Sequence, residues 1–102
     1  MKIIKCLSEY IEEEISDARK YIEKAMLVKG EHPELSEVLY QLSLEEMTHM
    51  NRLHNEVEKL ILNYRKEHGD PPVAMQAVYD YMHERAIKEA KEVKVMQSMF
   101  RE

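Results

Sequence analysis

The sequence has few residues that interrupt regular structure or cross-link a chain. Its 102 residues include two glycines, three prolines and no tryptophan, and Cys6 is the only cysteine. A single cysteine excludes intrachain disulfides, cysteine-based zinc sites and iron–sulfur clusters. Long runs without proline or glycine, in a chain that is 34% charged and 44% hydrophobic, favour helices with solvated faces over disorder.

The charge balance and the lack of long apolar runs exclude further classes of function. Twenty acidic residues against 15 basic ones give a net charge of -5. This balance argues against a nucleic-acid partner, because a phosphate-binding surface needs a basic excess. No stretch approaches the roughly 20 apolar residues of a membrane helix. The N-terminal stretch reaches Glu9 before an apolar run of signal-peptide length forms, so we expect no membrane association and a cytoplasmic protein.

Apolar residues recur at helical spacing in three segments. The periodicity predicts helices over about residues 3–28, 33–68 and 73–100, and the predicted class is all-α. Asp70-Pro71-Pro72 separates the second helix from the third. The predicted buried faces are, in chain order, Ile4, Leu7, Ile11, Ile15, Ala18, Ile22 and Ala25; Leu35, Leu39, Leu42, Met50, Leu53, Val57, Leu60 and Tyr64; and Met75, Tyr79, Met82, Ala86, Ala90, Val93, Met96 and Phe100.

The short connection between the first two helices makes them an antiparallel hairpin. We expect Gly30 to end the first helix in a left-handed turn and Pro33 to open the second. The chain is then a single domain, with the hairpin in 1–69 and a C-terminal helix in 70–102 that packs on the bundle or on neighbouring subunits. Because three helices do not close a four-helix core, the apolar faces predict a second copy related by a two-fold axis.

Three ionisable residues interrupt the predicted buried faces at one level of the hairpin. Glu14 stands beside Ile15 on the first helix, and Glu46 and His49 stand between Leu42 and Leu53 on the second. At 1.5 Å per residue, Glu14 lies about 21 Å from the connecting turn, and Glu46 and His49 lie roughly 20 and 24 Å from it. A buried acid is costly unless it is paired or bound to a metal. We therefore expect the three side chains to meet.

Glu-x-x-His on one helix and Glu on its neighbour are half of a carboxylate-bridged dinuclear site. Such a site uses four glutamates and two histidines, which two copies of Glu14, Glu46 and His49 would supply. Oxygen and imidazole ligands without thiolate favour iron or manganese, and zinc is an alternative. The spacing therefore predicts a metal site shared between two subunits.

The run PELSEVLYQLSLEEMTH, Pro33 to His49, resembles the second helix of encapsulated ferritins, which are half-length members of the ferritin-like superfamily. Tyr21 follows Glu14 by seven residues, as a tyrosine follows the metal glutamate of that family, and the likeness covers about residues 10–62. Rubrerythrin-like proteins share the Glu-x-x-His motif. No clear match continues beyond the Pro71-Pro72 break.

The resemblance implies a ferritin-like four-helix-bundle dimer, with a di-iron ferroxidase site that oxidises Fe(II) with dioxygen or peroxide, for iron storage or detoxification. It implies Glu14, Glu46 and His49 as the ligands and Tyr21 as an outer-shell hydrogen-bond donor. It also implies docking inside a protein shell, although the C-terminal VMQSMFRE does not resemble the short targeting tail of such proteins.

Other readings of the polar residues stay open. The alternative function is a metal-free helical oligomerisation module, in which the acids and the histidine set the register of a bundle. Asp80 and His83 imitate the Glu-x-x-His spacing but lie off the apolar stripe of their helix, and Glu56 is expected at the rim or in an interchain ion pair. The three histidines expected to be solvated are His32, His54 and His68.

Overall fold

Three long helices make up nearly all of the computed structural model, which describes residues 2–102. The helices are α1 (Lys2–Val28), α2 (Pro33–His68) and α3 (Val73–Phe100). No strand occurs within the described residues, so the all-α class is confirmed. No helix in this part of the chain is both long enough and apolar enough to cross a membrane.

The two connections end their helices differently. The His32 N–H donates to the Val28 carbonyl over 2.8 Å, so one further turn follows α1, and His32, with φ -133° and ψ 69°, leaves that turn before Pro33 opens α2. The prediction of a left-handed Gly30 is wrong, because among the described glycines only Gly69 has a positive φ, of 76°. At Gly69 the chain leaves α2, and its N–H donates to the Arg65 carbonyl.

The helix α3 returns along the hairpin, antiparallel to α2, and gives a rod measuring 56 × 19 × 18 Å. The last turn of α3 packs against α2, where Phe100 stacks on Tyr40 with ring centroids 4.7 Å apart. Arg101 also pairs with Glu37 over 2.6 Å and lies over the Tyr40 ring. Such exposed ion pairs contribute little to stability, so the aromatic packing is the main anchor of this end.

Small residues let α1 and α2 approach closely. Ala18, Ala25, Ser36 and Ser43 are all buried along the seam between these helices. The Ser43 hydroxyl donates to the Ala18 carbonyl over 2.8 Å, and the buried Gln97 amide of α3 donates to the same hydroxyl over 2.9 Å. This chain of hydrogen bonds fixes the register of all three helices at one point.

The buried face of α1 agrees with the prediction apart from Leu7, which is half-buried, whereas the predicted face of α2 is largely wrong. In α2 the buried residues are Ser36, Tyr40, Ser43, Met47, Met50 and Val57. Leu35 is 49% exposed, and the remaining predicted leucines and Tyr64 are only half-buried. The reason is that α3 covers one side of the seam, through Tyr40 and Ser43, and the leucines lie on the other.

The predicted face of α3 is buried mainly in its C-terminal half. Ala90, Val93 and Phe100 are buried, and the remaining predicted residues, Met75, Tyr79, Met82, Ala86 and Met96, are half-buried. Gln97, which apolar periodicity passes over, is also buried. The N-terminal half of α3 therefore packs more loosely on the hairpin than its C-terminal half.

Candidate metal centre

The side chains of Glu14, Glu46 and His49 converge between α1 and α2. One potential ligand atom from each lies within 4.8 Å of the other two, as the depth argument from the sequence predicts. Within residues 2–102 this is the one group of three or more acidic, histidine or cysteine side chains close enough to hold a metal ion.

His49 stands between the two carboxylates. Its Nδ1 is 3.5 Å from Glu14 Oε2 and 3.7 Å from Glu46 Oε1. These separations suit attraction between charges but exceed the usual length of a hydrogen bond. Glu14 Oε2 is buried and has no hydrogen-bond partner among the described residues. A buried carboxylate oxygen without a partner is costly, and a cation placed between the three groups would satisfy it.

The cluster is less buried in the single chain than the sequence predicts. The side chains of Glu14 and Glu46 are 26% and 18% exposed, and that of His49 is 51% exposed. The reason is their position on the side of the seam away from α3. Glu46 follows Leu39 and Leu42 and precedes Leu53 by spacings of seven, four and seven residues, so it shares the flank of the half-buried leucines.

The two carboxyl groups compete for protons. The adjacent Glu14 carboxyl group, with which a proton can be shared, raises the pKa of Glu46 to about 7, and burial adds to the rise. His49 acts in the opposite direction, because a nearby cation favours the carboxylate. When both carboxyl groups are ionised neither can donate to the other, which leaves the buried oxygen of Glu14 without a partner.

The acids that flank the cluster stay outside it. Glu13, Asp17 and Glu45 are exposed and do not belong to the group of converging side chains. Asp17 is close enough for its charge to contribute to the raised pKa of Glu46, as the smallest of the causes. Tyr21 is half-buried two helical turns after Glu14, on the same side of α1. Its outer-shell role remains a prediction.

The remaining candidates take other partners. Asp80 accepts a hydrogen bond from the Gln76 amide over 2.9 Å, and Glu56 pairs with Lys59 on its own helix over 3.2 Å. His32 and His68 are exposed, as expected.

The expectation that His54 is solvated is wrong. Its Nε2 is buried, and its ring stacks on His83 with centroids 5.1 Å apart. The sequence carried a signal for this position, because His54 follows Met47 and Met50 at helical spacing and precedes Val57 on the same buried face.

The donor set fits a hard or borderline divalent cation. Two carboxylates and one imidazole are the ligands that iron, manganese and zinc accept, and three ligands from one chain leave coordination positions free. The orphaned oxygen of Glu14 is an independent sign that a positive group belongs there. No protein family, curated protein or solved structure matches the chain.

Proposed function

We propose that two copies of this chain bind ferrous iron as substrate between them and oxidise it, as ferritin-like ferroxidases do. The observation that carries the proposal is the convergence of Glu14, Glu46 and His49, with one carboxylate oxygen buried and unpartnered. The resemblance of Pro33 to His49 to encapsulated ferritins supports the same chemistry. Manganese and zinc are the alternative ions for this donor set.

The flank on which the cluster lies supports the proposal of a second copy. Half-buried leucines of α2 lie on the same side of that helix as Glu46, and the exposed Tyr10 of α1 precedes Glu14 by about one helical turn. A two-fold axis through this flank would cover those apolar side chains and bring a second set of ligands to face the first. The pair of copies would then hold four carboxylates and two imidazoles, which suits two metal ions.

The proposed reaction is an electron transfer from two ferrous ions to one oxidant. Each ferrous ion gives up one electron, so that two ions and two protons convert dioxygen to hydrogen peroxide, or convert hydrogen peroxide to two waters. The carboxylates of Glu14 and Glu46 favour the product because anionic oxygen ligands neutralise the added positive charge. Glu46 has a pKa of about 7, so it is protonated at lower pH and releases this proton when a cation binds.

A metal-free oligomerisation module is the second candidate. It is favoured by the position of His49, because a protonated imidazole 3.5 and 3.7 Å from the two carboxylates can offset their charge without a metal. Metal analysis of the purified protein separates the candidates. Tightly bound transition metal supports the ferroxidase, and a protein that binds none from a solution of ferrous or manganese ions supports the module.

The decisive experiment loads the protein with ferrous iron without air, admits oxygen and follows ferric absorbance. We expect the parent protein to oxidise iron faster than buffer and His49→Ala to fall to the buffer rate. His32→Ala is the matched control, since it removes an exposed imidazole from outside the cluster and should retain the parent rate. Equal rates for His49→Ala and the parent would refute the proposal.

A further inference from the structure

Two adjoining cavities lie between α3 and the hairpin, from the start of α3 to Lys94. One of about 290 Å³ lies among all three helices, and one of about 440 Å³ lies between the starts of α1 and α3. Ser8, Tyr79 and Met82 line both, so the two spaces adjoin, and together they are here called the α3 groove. Its walls are mainly apolar, with Ile11, Met50, Val57, Met75, Ala86 and Ala90 among them.

The charges that line the α3 groove are of one sign. Lys91 and Lys94 line the first cavity, and Lys2 and Lys5 line the second. No acidic side chain is among the described residues that line either cavity, although the chain has 20 acidic residues and 15 basic ones. The charged side chains that line the groove are therefore lysines, on a protein whose net charge is negative.

The first cavity is also lined by polar side chains, one of which has a buried atom without a partner. Asn51, His54 and His83 line it, and the buried Nε2 of His54 has no hydrogen-bond partner in the described chain. Glu58 Oε1 lies 3.5 Å from that nitrogen, at the limit of a hydrogen bond. Binding pockets for small molecules combine apolar walls with a few such polar groups. Together with Lys91 and Lys94, these groups form the polar part of the lining of the first cavity.

We propose that the α3 groove binds a medium-chain aliphatic carboxylate. The alkyl chain lies among Ile11, Val57 and Met82, where it fills space that the helices leave open. The carboxylate lies at Lys91 and Lys94, whose charges it complements. This site is separate from the cluster of Glu14, Glu46 and His49, which lies on the opposite side of the hairpin seam, and it does not depend on the proposed function.

All the residues proposed to hold the ligand line the first cavity, so the size of that cavity sets the length of the ligand. At about 290 Å³ it is near the lower limit of small-molecule pockets, roughly 300 to 1,000 Å³, which favours a single short alkyl chain over a larger lipid. Each methylene moved from water into the groove should tighten binding about fourfold. Affinity should therefore rise from hexanoate to octanoate to decanoate.

Calorimetric titration of the full chain with octanoate tests the proposal, with 1-octanol and octylammonium as probes of equal length and different charge. We expect octanoate to bind most tightly and octylammonium least tightly. Lys91→Glu/Lys94→Glu should weaken octanoate binding at least about tenfold, because two attractions become repulsions. The matched control is Lys20→Glu/Lys88→Glu, which changes the net charge equally at exposed lysines that do not line the groove and should bind like the parent.

A second variant tests the cavity itself. Ala86→Phe fills the space beside Ile11 without a change of charge and should abolish binding of all three probes, while circular dichroism reports whether the helices persist. Equal affinity of 1-octanol and octanoate would overturn the proposal, as would unchanged binding by Lys91→Glu/Lys94→Glu. Glu46→Ala should bind octanoate like the parent, so loss of iron oxidation and loss of carboxylate binding are distinguishable.

If Ala86→Phe instead abolishes self-association of the parent protein, the α3 groove is a contact between copies of the chain. That result would also overturn the proposal, because a second copy would then occupy the groove.

Discussion

The Nδ1 atom of His49 lies 3.5 Å from Oε2 of Glu14, although the two residues stand on different helices. The same carboxylate oxygen is buried and accepts no hydrogen bond from the described residues. The imidazole therefore approaches the oxygen without satisfying it. A cation bound between them would remove this cost, which makes the pair the most informative feature of the proposed site.

Substitution of the carboxylates separates ligands from their neighbours. Glu14→Ala and Glu46→Ala should each abolish rapid oxidation of ferrous iron, because each removes a ligand from both copies of a symmetric site. The helices should persist by circular dichroism, since the removed groups are costly to bury. Glu13 points to another face of α1, and Asp17 lies nearly one helical turn further along α1 than Glu14. Glu13→Ala and Asp17→Ala should therefore keep most of the activity. Loss of activity in all four variants would indicate a diffuse charge effect rather than a site.

The stoichiometry of binding tests whether the site crosses a two-fold axis. A shared site should saturate at about one metal per chain, or two per dimer. The measurement is titration with ferrous or manganese ions without air, followed by metal analysis after desalting. Two tightly held ions on a monomer would contradict the shared site and would require further ligands from within one chain.

The side of α2 that carries Leu39, Leu42 and Leu53 is the proposed dimer surface. Leu53→Glu should shift the protein toward monomer, because a charge would enter the apolar contact beside the ligands. Analytical ultracentrifugation measures the change. Leu62→Glu is the control on the same helix, since Leu62 is exposed and lies about half a turn around α2 from Leu53. Dimerisation of Leu53→Glu with the parent affinity would show that this flank is not the interface.

The pH dependence of stability follows from Glu46, whose pKa in the folded chain is about 7 against a usual 4.5. A raised pKa means that the folded state holds the proton more tightly, so its contribution to stability is complete below about pH 4.5 and is lost as pH rises through about 7. Metal-free protein should therefore lose free energy of unfolding between these values. Urea denaturation at several pH values measures it.

Glu46→Gln is the control for this pH effect. The amide cannot titrate, so the contribution of Glu46 to the slope between pH 4.5 and 7 should disappear. An unchanged slope in Glu46→Gln would assign the pH dependence to another group.

The hydrogen bonds at Ser43 predict a stability effect away from the proposed site. Ser43→Ala removes the acceptor of the buried Gln97 amide and should lower the free energy of unfolding by about 1 to 3 kcal/mol. Thr48→Ala is the control, because its exposed hydroxyl bonds only to the carbonyl of Leu44 on the same helix, over 3.2 Å. Equal destabilisation by the two substitutions would contradict the role of Ser43 in joining the helices.

Local patterns in the sequence were sufficient to predict the helices and the meeting of the three polar side chains. Helix bounds depend on spacing and on residues such as Pro33 and Gly69, which act on their own stretch of backbone. The convergence of Glu14 with Glu46 and His49 follows from the rise of 1.5 Å per residue and a short turn. The error at Gly30 was also local, because a right-handed turn suffices there.

Only the tertiary structure decided which faces are buried. Apolar periodicity on α2 marks Leu39 and Leu53, but the close contact between helices uses Ser36 and Ser43, whose small side chains let the backbones approach. The position of α3 then decides which side of that seam is covered, and it places His54 and His83 against each other. A periodic pattern indicates only that a face is apolar. Whether that face is buried depends on which other helix packs against it, and this packing is determined by contacts between residues far apart in the chain.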